Sequence, residues 1–328
     1  MNQSTPFSTE TQIDAETGWE VIYLLYQDED PDQSIRVGIV PKAGSNMFSL
    51  QLGQDELLWQ APSIRAVQKR EHGNPVLYPT PNRVRNSRFT FEGRTFTFPP
   101  NWKEHFLHGL VHGAQWNFQS PRADEQQASV MTYIDFEPGH ELYDLWPFDH
   151  RIALTFTLEK DGVTVRFDIQ NRDDHALPFG FALHPFFNYL GDKSKTVMCV
   201  PATHHMQAVD LLPTGGLEPL DGSKYDLRTP VSLDKLHLDD VYYGMVPEKP
   251  AWYEIRDRGI RLTMKASPEF THVVVFTEIP DFFCIENQTC STDAHNLYAQ
   301  GLKKESHLLI VQPGESMNMW VKYVPERI

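Results

Sequence analysis

An all-β chain of many, mostly antiparallel strands, closed as a large β-sandwich or a barrel, is what this sequence predicts, and three observations carry that reading. Short runs alternate apolar and polar residues with period two, as in FTFEGRTFTF (89–98), IALTFTL (152–158) and VTVRFDI (163–169). Turn residues punctuate those runs at hairpin spacing: Gly53-Gln54-Asp55, Glu92-Gly93 and Asp161-Gly162. No long segment shows the 3.6-residue spacing of a helix, and there is no short internal repeat.

Taken in order, residues 1–18 form a polar lead-in expected to be partly disordered, and residues 19–328 a single all-β domain. Trp19 to Tyr26 and Ile35 to Pro41 read as strands, followed by NMFSLQL and DELLW around the first turn. LYPTPNRVRNSR (77–88) carries two prolines and three arginines, so it cannot be a central strand and reads as a loop rich in donors. The 89–98 hairpin, the stretch FLHGLVHGAQW (106–116), a strand over 130–136 and the 152–169 hairpin come next. FGFALHPFFNYL (179–190) reads as one strand. Its odd positions are bulky and apolar, while Gly180, Ala182, His184 and Asn188 face a cleft in which the small residues leave room beside the histidine. Residues 191–250 look irregular. The β pattern resumes at Ile255 to Met264, Thr271 to Thr277, Phe282 to Glu286, His307 to Gln312 and Met317 to Val324.

Composition narrows the function classes. With 44 acidic against 29 Lys and Arg residues, the formal charge of −15 disfavours nucleic acid and anionic membrane surfaces as partners and suits a small neutral ligand. Three cysteines, Cys199, Cys284 and Cys290, form no CxxC and cannot all pair within the chain, which argues against a disulfide scaffold or a thiolate zinc site. The first 18 residues lack the basic and apolar regions of a signal peptide, and no run approaches the roughly 18 apolar residues of a membrane span. A cytoplasmic location is the expectation; the oligomeric state is left open.

Two side chains invite chemistry. His184 can exchange a proton near neutral pH, and Glu286 closes the apolar run FFCIE, where a carboxylate emerges from the core beside a polar loop. Taken alone, His184 reads first as a core histidine satisfied by a carbonyl and Glu286 as a solvated strand end. His105, His108 and His112 have HxxH and HxxxH spacings, but HExxH is absent and such spacings do not converge on a strand or loop. Phosphate-cradling glycine motifs and GxSxG are absent too.

Together these residues resemble the aldose 1-epimerase (galactose mutarotase-like) family. Its markers occur in order: Pro79 with Asn82-Arg83, His108-Gly109 with Trp116 downstream, Trp146-Pro147-Phe148, and Leu177-Pro178-Phe179-Gly180. His184-Pro185-Phe186-Phe187-Asn188, Leu238-Asp239-Asp240-Val241-Tyr242, and Glu286 ahead of Asp293-Ala294-His295-Asn296 complete the series. The chain departs from the family at Leu110, where many members have a second glycine, and at Asp240, where a histidine is commoner. The resemblance implies a β-supersandwich and interconversion of the α and β anomers of a free hexose. In that reading Glu286 is the general base and His184 the general acid, across a separation a pyranose could bridge. Asn82, Arg83, His108 and Asp239 would hold sugar hydroxyls and Trp116 a sugar face, with no metal or cofactor demanded. A carbohydrate-binding protein without turnover and a mutarotase for a phosphorylated sugar, suggested by Arg83, Arg85 and Arg88, are the alternatives, with a metal enzyme built on the histidine cluster as a third.

Overall fold

The computed structural model describes residues 5–69 and 71–328. Two extended antiparallel sheets carry the architecture. In the larger one, neighbouring strands run Asn117–Phe118, Ala128–Phe136, His150–Glu159, Gly162–Asn171, Ser316–Arg327, Ile260–Ala266, Ala251–Ile255, Thr196–Cys199 and Val231–Ser232. The second runs Leu212–Pro219, His204–Val209, Asp239–Tyr243, His272–Phe276, Phe282–Gln288, Ala182–Leu183 and Val76–Leu77, with Phe186–Asn188 also paired to Phe282–Gln288. A third sheet, from Phe7–Ile13 to Asp55–Glu56, follows sequence order.

Period two decides which side chains meet between the sheets. Phe283 and Phe187 of the second sheet pack on Tyr253 of the first, with ring centroids 5.0 and 4.8 Å away. Phe181 stacks on Phe167 at 4.2 Å. These rings belong to one continuous buried cluster that also takes in Val37, Trp146 and Tyr323. The residues between them in sequence, Phe282, Cys284 and Glu286, face the other way.

The three hairpins form at the positions read from the sequence, with Leu52 opposite Asp55, Phe91 opposite Arg94 and Glu159 opposite Gly162. Gly162 opens its strand at φ 143°, where an added Cβ would lie 2.1 Å from the Tyr323 carbonyl oxygen, so the close approach of the neighbouring strand requires glycine.

Elsewhere tertiary pairing overrides the sequence reading. Within the lead-in expected to be partly disordered, Phe7–Ile13 pairs in full register with Glu20–Tyr26, and Phe7 lies 4.9 Å from the Tyr26 ring; residues 1–4 lie outside the described residues. Ile255 to Met264 is two strands, because the chain turns over Arg256–Arg258 and Gly259 caps the turn at φ 57°. Residues 191–250 contain the hairpin His204–Val209/Leu212–Pro219. Two short helices, Ala294–Ala299 and Lys303–Ser306, follow the strand carrying Glu286. No helix among the described residues is long and apolar enough to cross a membrane.

FGFALHPFFNYL is not one strand either. It divides into Leu177–Phe179, Ala182–Leu183 and Phe186–Asn188, because Pro185 cannot donate to a ladder and the His184 N–H leaves the strand direction to reach the Pro75 carbonyl at 3.1 Å. The odd positions from Phe179 to Tyr189 are nonetheless buried, as the alternation requires.

Candidate active site

The outward face of the second sheet forms the floor of a cavity of about 460 Å³. Register places its lining. Asp239 stands opposite Phe276, Phe276 opposite Cys284 and Cys284 opposite Phe186, one row across four neighbouring strands. One step along, Val274 stands opposite Glu286. All of these except Cys284 line the cavity.

Glu286 lies within Phe282–Gln288, not at its end, because the ladder continues to Gln288. Its side chain is only 3% exposed. Burial pushes its carboxyl well above the usual carboxylate range, reinforced by the nearby Asp239 charge; the Gln288 amide, donating at 3.1 Å, and the Arg83 charge pull the other way. His184 Nε2 lies 3.2 Å from Glu286 Oε1, so the two groups touch side by side on one wall and are not separated by the width of a sugar ring. The His184 ring is flanked by Phe186, stacked at 4.5 Å and 14°, and by His108, edge-on at 5.0 Å and 86°. Both rings pack against it.

In the same cavity Arg83 presents a held guanidinium. Nη1 donates to Asn82 Oδ1 at 2.9 Å, Nη2 donates to Asp239 Oδ2 at 3.4 Å, and the group lies 4.6 Å from the Trp102 ring. Asp239 is shifted upward by burial, against the opposing Arg83 charge. Asn82 takes a left-handed conformation, φ 59°, which points its amide back at Arg83, and its carbonyl accepts from the His108 N–H at 2.9 Å. The next residue, Gly109, sits at φ 70° with its Cα against the Tyr78 backbone; a Cβ there would lie 2.3 Å from the carbonyl oxygen. That close approach is the physical content of the His108-Gly109 motif, since it lodges the loop carrying the histidine against the strand that leads to Asn82.

Six residues singled out in the sequence, Asn82, Arg83, His108, His184, Asp239 and Glu286, therefore line one cavity. Trp116 does not. It is buried, with its indole N–H donating to the Val111 carbonyl, and the aromatic platforms of the cavity are Trp59 and Trp102 instead. Both lie outside regular strands: the run DELLW ends on Trp59, but the strand in it is only Asp55–Glu56. Gly180 opens no room beside His184, because its Cα abuts Cys290 Sγ and Pro81. The histidine cluster does not converge on the cavity: only His108 lines it, and the buried His105 accepts from the Asn86 N–H. The arginine cluster disperses as well, with Arg85 drawn to Asp293. Asp240 points away from the cavity and accepts from His205 Nε2 at 2.7 Å.

The cavity thus offers an imidazole and a carboxyl group in contact, a guanidinium held by Asn82 and Asp239, and apolar surface from Phe186, Phe276 and Phe282. The family model described as aldose 1-epimerase matches residues 34–324. The chain is 25% identical to the uncharacterized protein YphB of Escherichia coli over 250 residues, 73% of this chain and 79% of that one. It is 26% identical to the galactose mutarotase of Homo sapiens over 181 residues, 54% of this chain and 51% of the mutarotase, so it matches about half the length of that relative. Among solved structures, a galactose mutarotase-like protein from Clostridium acetobutylicum superposes with a TM-score of 0.88 at 20% identity, covering 99% of this chain and 100% of the other. The galactose 1-epimerase of Lactobacillus acidophilus superposes with a TM-score of 0.78 at 15% identity, covering 99% of each chain. At those identities the likeness is one of fold.

Proposed function

Because the chain belongs to the aldose 1-epimerase family, we propose that it interconverts the α and β anomers of a free hexose by general acid and base catalysis at His184 and Glu286. The observation that carries the reading is the 3.2 Å contact between these two groups at the floor of a sugar-sized cavity. The hydroxyl oxygen and the ring oxygen are both bonded to C1. A base and an acid in contact with each other can therefore serve both oxygens without moving.

In the forward step the Glu286 carboxylate takes the proton of the C1 hydroxyl, the freed electron pair forms the C1 carbonyl, and the bond from C1 to the ring oxygen breaks. The ring oxygen takes the proton carried by His184. Rotation about the bond between C1 and C2 presents the other carbonyl face, and the reverse transfers close the ring. Burial favours this cycle. The transfers leave the carboxyl and the imidazole both neutral, and burial of Glu286 favours its neutral form. Positioned proton transfer contributes about 10²–10⁴-fold per group.

Arg83, Asn82, His108 and Asp239 supply donors and acceptors for the ring hydroxyls, and Trp102 and Trp59 supply flat apolar surface. The pairing of Arg83 with Asp239 and of Arg85 with Asp293 favours an uncharged sugar over a phosphorylated one, since both guanidinium groups already face carboxylates. Polarimetry or NMR exchange on freshly dissolved α-galactose and α-glucose tests the proposal. Faster anomerisation with saturation supports it; saturable binding with the spontaneous rate unchanged would make the protein a carbohydrate binder.

A further inference from the structure

We infer that the floor of the cavity is also a binding site for one thiophilic divalent cation of the zinc and cadmium class, held by His184, Cys284 and Glu286, and that the cation and sugar turnover exclude one another. A histidine nitrogen, the Cys284 sulfur and a Glu286 oxygen all lie within 4.8 Å of one another. The strand pattern explains why. Cys284 and Glu286 are two apart on Phe282–Gln288 and so share a face, and Cys284 stands in register with Phe186, whose ring stacks on His184. The other two cysteines are placed differently, Cys290 against Gly180 and Cys199 donating to the Arg228 carbonyl.

One nitrogen, one sulfur and one oxygen make a donor set that suits a borderline-soft ion over magnesium or calcium. With zinc bonds of about 2.0–2.3 Å, two donors of a tetrahedral site lie roughly 3.5 Å apart, so side-chain rotations closing the triangle by about 1 Å complete it. His184 and Glu286 line the cavity, which gives the ion its route in. Binding displaces the thiol proton to solvent and changes no oxidation state. The bound ion occupies the His184 imidazole and the Glu286 carboxylate, the two groups assigned above to proton transfer. The claim of exclusion rests on that assignment; the claim of binding does not.

The test is a titration of the full chain with cadmium, read by the ultraviolet thiolate-to-cadmium band, in parallel with zinc inhibition of galactose anomerisation and zinc-induced thermal shift. The wild type is expected to bind one cadmium per chain. Cys284→Ala and the nearly isosteric Cys284→Ser should both lose the band and the zinc-induced shift. Zinc inhibition, scored against each variant's own zinc-free rate, should need at least about tenfold more metal in both. No band in the wild type, or an undiminished band in the variants, overturns the site. A band that behaves as described in a protein that shows no turnover upholds the metal site and removes the mutarotase reading, so the two fail separately.

Discussion

Glu286→Gln isolates the proposed base with little change in shape. The amide keeps an oxygen that can accept from Gln288, as the carboxylate does at 3.1 Å, and keeps the volume of a side chain that is 3% exposed. What it loses is basicity, and the expected fall in kcat is about 10²–10⁴-fold, or about 3–5 kcal/mol in the barrier at 1.36 kcal/mol per decade. Stability should move the other way. Burial raises the carboxyl above its ordinary value of 4.5, so between 4.5 and the raised value the native state holds a proton that the unfolded chain has released. Unfolding there releases protons, and the wild type loses stability as pH rises through that window. The glutamine variant has no such dependence. It should melt at or above the wild-type temperature at pH 7 and above, with the difference growing upward from pH 4.5 until the native carboxyl has ionised. Equilibrium NMR exchange on galactose reads the rate and calorimetry the melting temperature. A variant within tenfold of wild-type kcat, or one whose lost activity follows a drop of several degrees in melting temperature, would refute the assignment.

Arg83→Lys should weaken kcat/KM by about 10–100-fold, mainly through KM, because a lysine cannot span Asn82 and Asp239 as the guanidinium does and one charge-assisted bond is worth about 1.5–3 kcal/mol; steady-state kinetics on galactose decides it. Trp116→Phe should lower the melting temperature and leave kcat/KM within about twofold, since the indole is buried away from the cavity. His150, His272 and His295 are each held neutral by burial, with pKa values lowered to about 3. Because the unfolded chain protonates them near 6.5, each contributes stability that is present above that value and drains away as pH falls toward 3, at up to about 1.4 kcal/mol per pH unit. Their ring-proton NMR signals should stay flat from pH 8 to 5, while that of the exposed His175, raised by its aspartate neighbours, titrates; movement of all three in that range would refute the assignment.

How far the sequence could be read follows from which forces leave a local trace. The hairpins at Glu92-Gly93 and Asp161-Gly162 were visible because alternation and turn chemistry are both short-range. Phe7–Ile13 was hidden because its order comes from pairing with Glu20–Tyr26. Ala294–Ala299 was hidden because six residues are too few to show a helical period. In the site, His184 and Glu286 were singled out, but their contact depends on a strand register linking residues about a hundred positions apart, which only the ordered motif series hinted at. Trp59 and Trp102 reach the cavity from loops, and Gly180 looked like open space because nothing in the local sequence reports the approach of Cys290 and Pro81.

The cavity draws on Trp59, Arg83, Trp102, His184, Asp239 and Glu286, which span most of the chain's length. No short fragment contains it, and loop closure over such separations is slow to repay its entropy. Turnover should accordingly return only with the last phase of refolding, trailing the recovery of strand circular dichroism, so that enzymatic rate becomes a late-stage gauge of chain assembly.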